Sequence, residues 1–437
     1  MPRKILGVID SDSYAKWGAS LLAHLGDEWT VELVTVESRL AASDAQLAFA
    51  LAGTGFTTDA APCASLAEII DRLNRDGHDA VFVSTSGAVS EAVITEITQR
   101  VHPRPVIMTG LPGISTPPKY KGLFRRAQAD LFVLHSHREI REHNELTRQR
   151  GVPHNFVLAT LPFLDQHEAV PEWSGERDSI VFAAQPGVPH TLADRRAIVG
   201  WLVQTALAHP ELRVVIKVRA QAGERQTHRE RHPYVDLVPA NAPANLVVEG
   251  GSMLSHLARA VGFLTVSSTA AIEAIAAGVP CLVLSDFGVS GELINTVFVG
   301  SGLLGSSREL IAARFRQVDP AWRADNYFHP AEDNDWQSQL EIMAGLRDAG
   351  LLPERPAKRR SRGGALRRAW DRKRAFGPYD RTAIGYLAAL IGYPVLTARR
   401  AAAALRKPAP AAPYVDETGS GQGTRGDAAA TAPVARG

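Results

Sequence analysis

Short apolar runs recur from the start of the chain, at residues 4–10 (KILGVID), 30–36, 80–85, 105–109, 131–135 and 156–161. They are rich in Val, Ile, Leu and Phe, the pattern of strands buried on both faces of a parallel sheet. Between them, residues 14–25, 65–75, 89–101 and 138–149 carry helical patterns. Strand and helix alternate, which predicts a doubly wound sheet. A polar connection at 165–178 (DQHEAVPEWSGERD) interrupts the alternation. The same order then resumes, with strands at 179–184, 213–218 and 246–249 and helices at 192–208 and 253–259.

Residues 261–286 (VGFLTVSSTAAIEAIAAGVPCLVLSD) place two strand patterns around one short helix. Ser267, Ser268 and Thr269 lead into AAIEAIAA, and Gly278 and Pro280 stop it. A helix opening there turns free backbone N–H groups and the positive end of its dipole toward whatever lies above the sheet, which suits an anion. The same hydroxyls serve equally as an ordinary helix N-cap. The expected fold class is therefore α/β: two doubly wound Rossmann-like domains facing a central cleft, with a basic helical C-terminal extension. The expected divisions are a first domain at 1–164, a linker at 165–178, a second domain at 179–350, the basic extension at 351–407 and a disordered tail at 408–437. The helical pattern at 336–346 is expected to lie across the domain junction.

Composition narrows the class. A chain of 437 residues exceeds one usual core, and 45% hydrophobic with 22% charged residues is a globular balance. The start, MPRKILGVID, enters a strand without the apolar segment of a signal peptide, so a cytoplasmic location is expected. Cys63 and Cys281 are too few and too far apart for a disulfide framework or a zinc ribbon. The net charge of +2 hides an asymmetry, because residues 355–407 hold 15 Lys or Arg against Asp371 and Asp380, which leaves the remainder net acidic.

Candidate chemistry gathers at strand ends. The run RVVIKVR delivers Lys217 and Arg219 into a loop at 220–233 that contains Glu224, Thr227, His228 and His232. Cations and imidazoles beside the Ser267, Ser268 and Thr269 helix start suit a phosphate or diphosphate leaving group, although each is also what a solvated loop contains. Glu273, one turn into the helix, is a candidate for ribose hydroxyls or a plain solvent-facing acid. Gln185 ends the first strand of the second domain. In the first domain the first strand runs into Asp10-Ser11-Asp12-Ser13-Tyr14. Asp12 is the candidate general base for an attacking hydroxyl, with Asp10 expected to be buried on the strand and Asp12-Ser13 also a plain N-cap. A metal reading of Asp-x-Asp is set aside because the donor-type features lie in the other domain. His135, at another strand end, is a second candidate base, though a lone histidine there is more often structural. Ser13, and Gly110 and Gly113 of GLPGI, are candidate acceptor contacts.

A His-Pro element paired with a downstream Ser-Ser/Thr element opening a helix is similar to the nucleotide-binding domain of bacterial polysialyltransferases and of teichoic-acid and capsule polymer transferases, of the GT-B fold. The strings DSDSYAKW, GLPGI, DLFVLHS, IKVRAQAGERQTH and SSTAAIEAIAAGVP resemble a family of uncharacterised bacterial glycosyltransferases over about residues 3–350. The resemblance implies a GT-B glycosyltransferase with a nucleotide-sugar donor, in cell-envelope polysaccharide synthesis. It places His232, Ser267 and Ser268 on the donor phosphate. His232 follows a long loop already holding His228, so which histidine meets the phosphate stays open. No metal and no cofactor are expected. Two alternatives remain: a nucleotide-sugar 2-epimerase on the same scaffold, and a non-catalytic polymer- or lipid-binding protein.

The extension reads as basic helices around an apolar stretch at 383–398 that is too short and too Gly/Pro-broken to span a bilayer. One expectation is a helix lying on an anionic membrane surface, with Trp370, Phe376 and Tyr386 near the headgroups, which suits a glycan or lipid-linked acceptor. The other is a pair of helices returning to pack on the first domain. Nucleic acid ranks last as a partner, because the body is acidic and aromatics are sparse.

Overall fold

The computed structural model describes residues 2–162, 164, 173–185, 187–218, 231–355 and 364–405. Residues 1–388 form one compact unit holding two parallel sheets. The first sheet comprises β1 (Arg3–Ile9), β2 (Trp29–Val36), β3 (Cys63–Ala64), β4 (Ala80–Ser84), β5 (Val106–Gly110), β6 (Leu131–Leu134) and β7 (Phe156–Leu158), in the order β3-β2-β1-β4-β5-β6-β7. The second comprises β8 (Ser179–Ala183), β9 (Arg213–Lys217), β10 (Leu246–Glu249), β11 (Ala260–Thr265), β12 (Cys281–Leu284) and β13 (Leu304–Gly305), in the order β10-β9-β8-β11-β12-β13. Their pairings are parallel throughout, and the fold class is the one expected.

The connecting helices of the first sheet are α1 (Asp12–Leu22), α2 (Asp44–Leu51), α3 (Leu66–Asp76), α4 (Gly87–Arg100), α5 (Tyr120–Arg125) and α6 (His137–Arg150). Those of the second are α7 (Leu192–Ala208), α8 (Met253–Ala258), α9 (Ala270–Ala276), α10 (Ser307–Ile311) and α11 (Pro320–Asp325). Three helices follow: α12 (Trp336–Asp348), α13 (Gly364–Phe376) and α14 (Ala383–Leu405). Local sequence dictates many of their ends. Ser65 and Glu68 form a reciprocal capping box at the start of α3, and Gly77, at φ 65°, closes it in the left-handed region that glycine adopts without strain.

In each sheet the strand order reverses at one point, between β1 and β4 in the first and between β8 and β11 in the second. The loops leaving those neighbours diverge to opposite faces and open a crevice at the carboxyl ends of the strands, where open α/β sheets take ligands.

The chain does not stay with the second sheet to residue 350. Trp336, Leu340 and Ala344, spaced four apart on α12, are buried in the core of the first sheet with Ile5, Trp29 and Met108. Asn334 and Asp335 accept the backbone N–H groups of Thr160 and Leu158, satisfying donors at the β7 edge. The expected second-domain limit is corrected accordingly: α12 belongs to the first core, because its apolar stripe fits there. Helix α13 also returns, packing on α4, with Trp370 and Phe376 buried; the headgroup placement expected for these two is therefore corrected. Arg372 pairs with Glu96 and Asp380, and Lys373 donates to the Asp380 carbonyl. Residues 389–437 form a separate unit, whose described part is the remainder of α14.

Truncating Leu340 tests the role of α12. Leu340→Ala removes a fully buried side chain from the first core and is expected to cost about 2–5 kcal/mol, read as a lowered denaturation midpoint.

Candidate functional site

The crevice of the second sheet is built from the loops after β8 and β11. Gln185, after β8, extends its Oε1 across the reversal point and accepts from both the backbone N–H and the hydroxyl of Ser267, after β11, at 3.1 and 3.0 Å. The Thr265 hydroxyl accepts from the Ser268 N–H, and the Ser268 hydroxyl accepts from the Ala270 N–H. Thr269 does not cap, since it already has helical backbone angles of −58° and −24°. Ser268 therefore takes the capping part expected of the group as a whole. Lys217, largely buried, ends β9 beside Ala183, and its carbonyl accepts from the Ala184 N–H.

One residue that motif reasoning passed over locks this rim. Arg195 in α7 is 1% exposed and donates to the carbonyls of Pro189, Gln185 and His232, while its guanidinium stacks over Tyr234. It thus ties the Gln185 loop to the His232 loop from beneath. A sequence signal existed: position 195 falls on the stripe of Ile198, Val199, Leu202 and Ala206 that α7 buries, and a cation on a buried stripe needs several acceptors. The structure so brings Lys217, His232, Ser267, Ser268 and Gln185 to one rim. Arg219, Glu224, Thr227 and His228 lie outside the described residues. Glu273 sits half-buried within α9.

In the first sheet Asp10 is fully buried, as expected, and accepts from the Ser11 and Ser86 N–H groups, which joins the loops after β1 and β4. Burial pushes its carboxyl above the usual range against the pull of those amides. Ser11 is the N-cap residue of α1, so Asp12 is its first helical residue rather than the cap. Asp12 and Ser13 are half-buried at the crevice edge, with the Ser13 hydroxyl 3.4 Å from Asp12 Oδ1.

His135 has a different environment from the one a base requires. It is fully buried, Trp17 Nε1 donates to its Nε2 at 2.8 Å, and its Nδ1 donates to the Ala159 carbonyl at 2.8 Å. Both nitrogens are committed, and desolvation lowers its pKa to about 4. Its candidacy as a base is withdrawn: it holds Trp17 against the ends of β6 and β7. Gly110 is likewise structural, because a Cβ there would meet the Val133 carbonyl at 2.6 Å and the Trp17 ring at 2.7 Å.

Gly113 does reach the interdomain boundary. At φ +73°, it places backbone where a Cβ would lie 3.2 Å from the Thr269 methyl, so the loop after β5 abuts the start of α9. Carboxyl-end loops of both sheets therefore meet. Glu139 fixes this meeting. Fully buried on α6, its carboxylate accepts from the N–H groups of Ser115 and His135 and from Tyr327 Oη, at 2.7, 3.1 and 2.7 Å. Tyr327 belongs to the core of the second sheet. Arg138 donates to the Val297 carbonyl and Arg141 pairs with Asp325 across the same boundary.

Residues 5–343 match the model of a family described as "Putative glycosyltransferase (DUF6716)". No curated protein matches the chain. Among solved structures, the S. aureus MnaA–UDP co-structure aligns with a TM-score of 0.52 at 13% identity, covering 82% of this chain and 99% of that one. A UDP-N-acetylglucosamine 2-epimerase structure aligns at 0.50 and 16% identity, again over 82% and 99%. The structure of a putative UDP-N-acetylglucosamine 2-epimerase from Listeria monocytogenes gives 0.50 and 14%, with the same coverage. At these identities the likeness is one of fold, two Rossmann-like domains in the GT-B arrangement.

The neutral state of His135 has a measurable sign. Its folded pKa of about 4 lies below the ordinary 6.5, so the stabilisation it gives is complete above pH 6.5 and is lost as pH falls toward 4. In an NMR titration the ring is expected to remain the neutral Nδ1–H tautomer from pH 6.5 until the pH approaches 4. Protonation with a midpoint near 6.5 would contradict the buried Trp17 bond.

Proposed function

The chain belongs to this glycosyltransferase family, and on that premise we propose that it moves a sugar from a nucleotide-activated donor, held at the second-sheet crevice, to a hydroxyl presented by the first. The observation that carries the reading is the Gln185–Ser267 pairing across the strand-order reversal, with Lys217 and His232 on the same rim. Positive charge and hydroxyl donors gathered there suit the diphosphate that departs from a nucleotide sugar.

In this reading Lys217, His232, Ser267 and Ser268 hold the donor phosphates, with Arg219, Glu224, Thr227, His228, Thr269 and Glu273 as further donor contacts. Asp12 is the base. The acceptor oxygen bonds to the anomeric carbon, the bond from that carbon to the phosphate oxygen breaks, the diphosphate leaves, and Asp12 takes the hydroxyl proton. The outcome is inversion, and no metal or cofactor takes part. Ser13 and Gly113 border the acceptor, a glycan or lipid-linked chain of the cell envelope.

The alternative epimerase chemistry uses the same donor crevice and no acceptor. Uptake of solvent deuterium at a sugar carbon of the donor, with no acceptor added, would favour it over transfer.

Among the described residues no helix is long and apolar enough to cross a membrane. We propose peripheral attachment to the inner face of an anionic membrane through α14. Its Leu387, Leu390, Ile391 and Val395 are exposed, with Leu390 at 74%, and cations follow at Arg399 and Arg400.

Two measurements test these proposals. Thermal-shift titration with UDP, CDP, CMP and GDP and their sugars is expected to give one stabilising nucleotide. Its affinity should fall at least about tenfold, roughly 1.4 kcal/mol, in Lys217→Ala and Ser267→Ala. No stabilisation by any of them would defeat the transferase reading. Flotation on phosphatidylglycerol vesicles should be strong for the whole chain and weak for Leu387→Glu/Leu390→Glu; equal flotation would remove the membrane proposal.

A further inference from the structure

The excursion between β2 and β3, residues 37–62, carries an apolar surface that the reaction scheme above does not use. Within it, α2 buries Leu47, Ala50 and Leu51 beside α1 in the core of the first sheet. A surface helix normally turns charged or polar side chains outward. Here the outward residues after Asp44 are Ala45, Ala48, Phe49 and Ala52, and Phe49 is 70% exposed. Next to that face Ala48, Leu51, Ala52 and Phe56, with Thr57 and Thr58, line a hollow of 460 Å³. Gly53 and Gly55 turn the chain beside it at φ 78° and 79°, and a Cβ on Gly55 would meet nothing within 4 Å.

Both ends of the excursion are rooted at the carboxyl edge of the sheet. The Ala42 N–H donates to the Asp10 carbonyl at 2.8 Å, which sets the start of α2 beside the turn that leads into Asp12. On the return, the Thr35 N–H donates to the Pro62 carbonyl and the Thr35 hydroxyl to the Ala61 carbonyl. The same excursion touches the C-terminal extension. Arg39 lies against Gly377, in the turn between α13 and α14, so closely that a Cβ on Gly377 would collide with its guanidinium. Leu40, the next residue, is exposed, and Tyr379, Ile384 and Leu387 are exposed shortly after Gly377. Exposed apolar side chains therefore stand on both sides of the Arg39–Gly377 contact, and the excursion leads from that contact to the Asp10–Asp12 turn.

We propose that the α2 hollow takes the hydrocarbon chain of a lipid-linked acceptor whose reacting hydroxyl is presented at the first-sheet crevice. A hollow of this volume with apolar walls and two hydroxyls is of the kind that encloses a small ligand. Hydrocarbon leaving water is stabilised in proportion to its area and needs no directional partner, which matches walls of alanine, leucine and phenylalanine. Two other occupants fit less well. A stable contact with a second copy uses roughly 20–30 residues a side, and eight line this hollow. A bilayer takes up a projecting apolar face such as that of α14, whereas a concave wall takes a single chain. This substrate class rests on the transferase reading and on the attachment of α14 to a membrane, from which such an acceptor would come. The chain site itself rests on α2 and Phe56.

The test is a calorimetric titration of the full chain with decyl maltoside below its micelle concentration, with maltose as the control that lacks the chain. The glycoside should bind at least about tenfold more tightly than maltose, because its methylenes leave water. Ala48→Glu/Ala52→Glu brings two carboxylates to the hollow from exposed positions, where substitution leaves folding intact. It should weaken decyl maltoside binding at least about tenfold, since a carboxylate facing the chain must be desolvated. Nucleotide affinity and flotation on phosphatidylglycerol vesicles should stay within about twofold, as expected of separate sites. Leu387→Glu/Leu390→Glu should keep decyl maltoside binding. Unchanged affinity in folded Ala48→Glu/Ala52→Glu, or binding lost only in the α14 variant, would overturn the site. So would loss of flotation in Ala48→Glu/Ala52→Glu, which would make the hollow part of the membrane face, or a dimer in sedimentation that this variant dissociates, which would make it a self-association face. Nucleotide binding without decyl maltoside binding would overturn the chain site and leave the transferase reading intact. Hollow-dependent decyl maltoside binding in a protein that no nucleotide stabilises would uphold the chain site and overturn the transferase reading.

Discussion

The carboxylate of Glu139 is the constraint on which the interdomain geometry depends. Buried and away from water, it must find donors on every side, and the structure supplies them from three different segments: the loop after β5, the end of β6, and Tyr327 of the second core. Hydrogen bonds to a charged group are worth about 1.5–3 kcal/mol each, but the cost of leaving such a group unpaired is larger. Separating the two sheets at this point would strand the carboxylate against a single domain. Desolvation raises the pKa of Glu139, and burial beside that carboxylate raises the pKa of the Tyr327 hydroxyl, so the phenol keeps the proton it donates. The contact of Gly113 with Thr269 follows, since Ser115, two residues on, is held by the same carboxylate.

Much of this architecture was legible in local sequence. Strands buried on both faces must be apolar along their length, and the 11 longer ones stood out for that reason, from β1 through β12 with β3 excepted. The exceptions, β3 and β13, have two residues each and pair only at a sheet edge, where two residues carry no period to detect. The start of α3 was legible at Ser65, whose hydroxyl caps it. The destination of α12 was not legible, because an apolar stripe states that a face is buried and not against which sheet. Trp336, Leu340 and Ala344 would read identically in either core.

The candidate site divides along the same line. Residues chosen for strand-end position, Lys217, Ser267, Ser268 and Gln185, converge because all parallel strands deliver their carboxyl ends to one edge. His135 stands at a strand end too, yet its imidazole turns inward to Trp17 and the Ala159 carbonyl. Position along a strand fixes which end a residue occupies, whereas orientation depends on nonlocal partners. Arg195 and Arg126 show the converse. The partners of each come into view only once the fold surrounds its guanidinium with carbonyls, hydroxyls and a ring, although the buried stripe of α7 already marks position 195.

The two arginines occupy corresponding places. Arg195 braces the loops at the strand-order reversal of the second sheet, and Arg126 reaches the loops at the reversal of the first. At such a reversal the neighbouring loops part, so their backbone carbonyls lose the ladder partners available elsewhere in the sheet. A guanidinium, with five donors in one plane, satisfies several of those carbonyls at once. In the second sheet the fork is spent on the carbonyls of Pro189, Gln185 and His232. The same structural device thus meets three carbonyls in one domain and one carbonyl with two hydroxyls in the other, and the difference lies in how many carbonyls the surrounding loops supply.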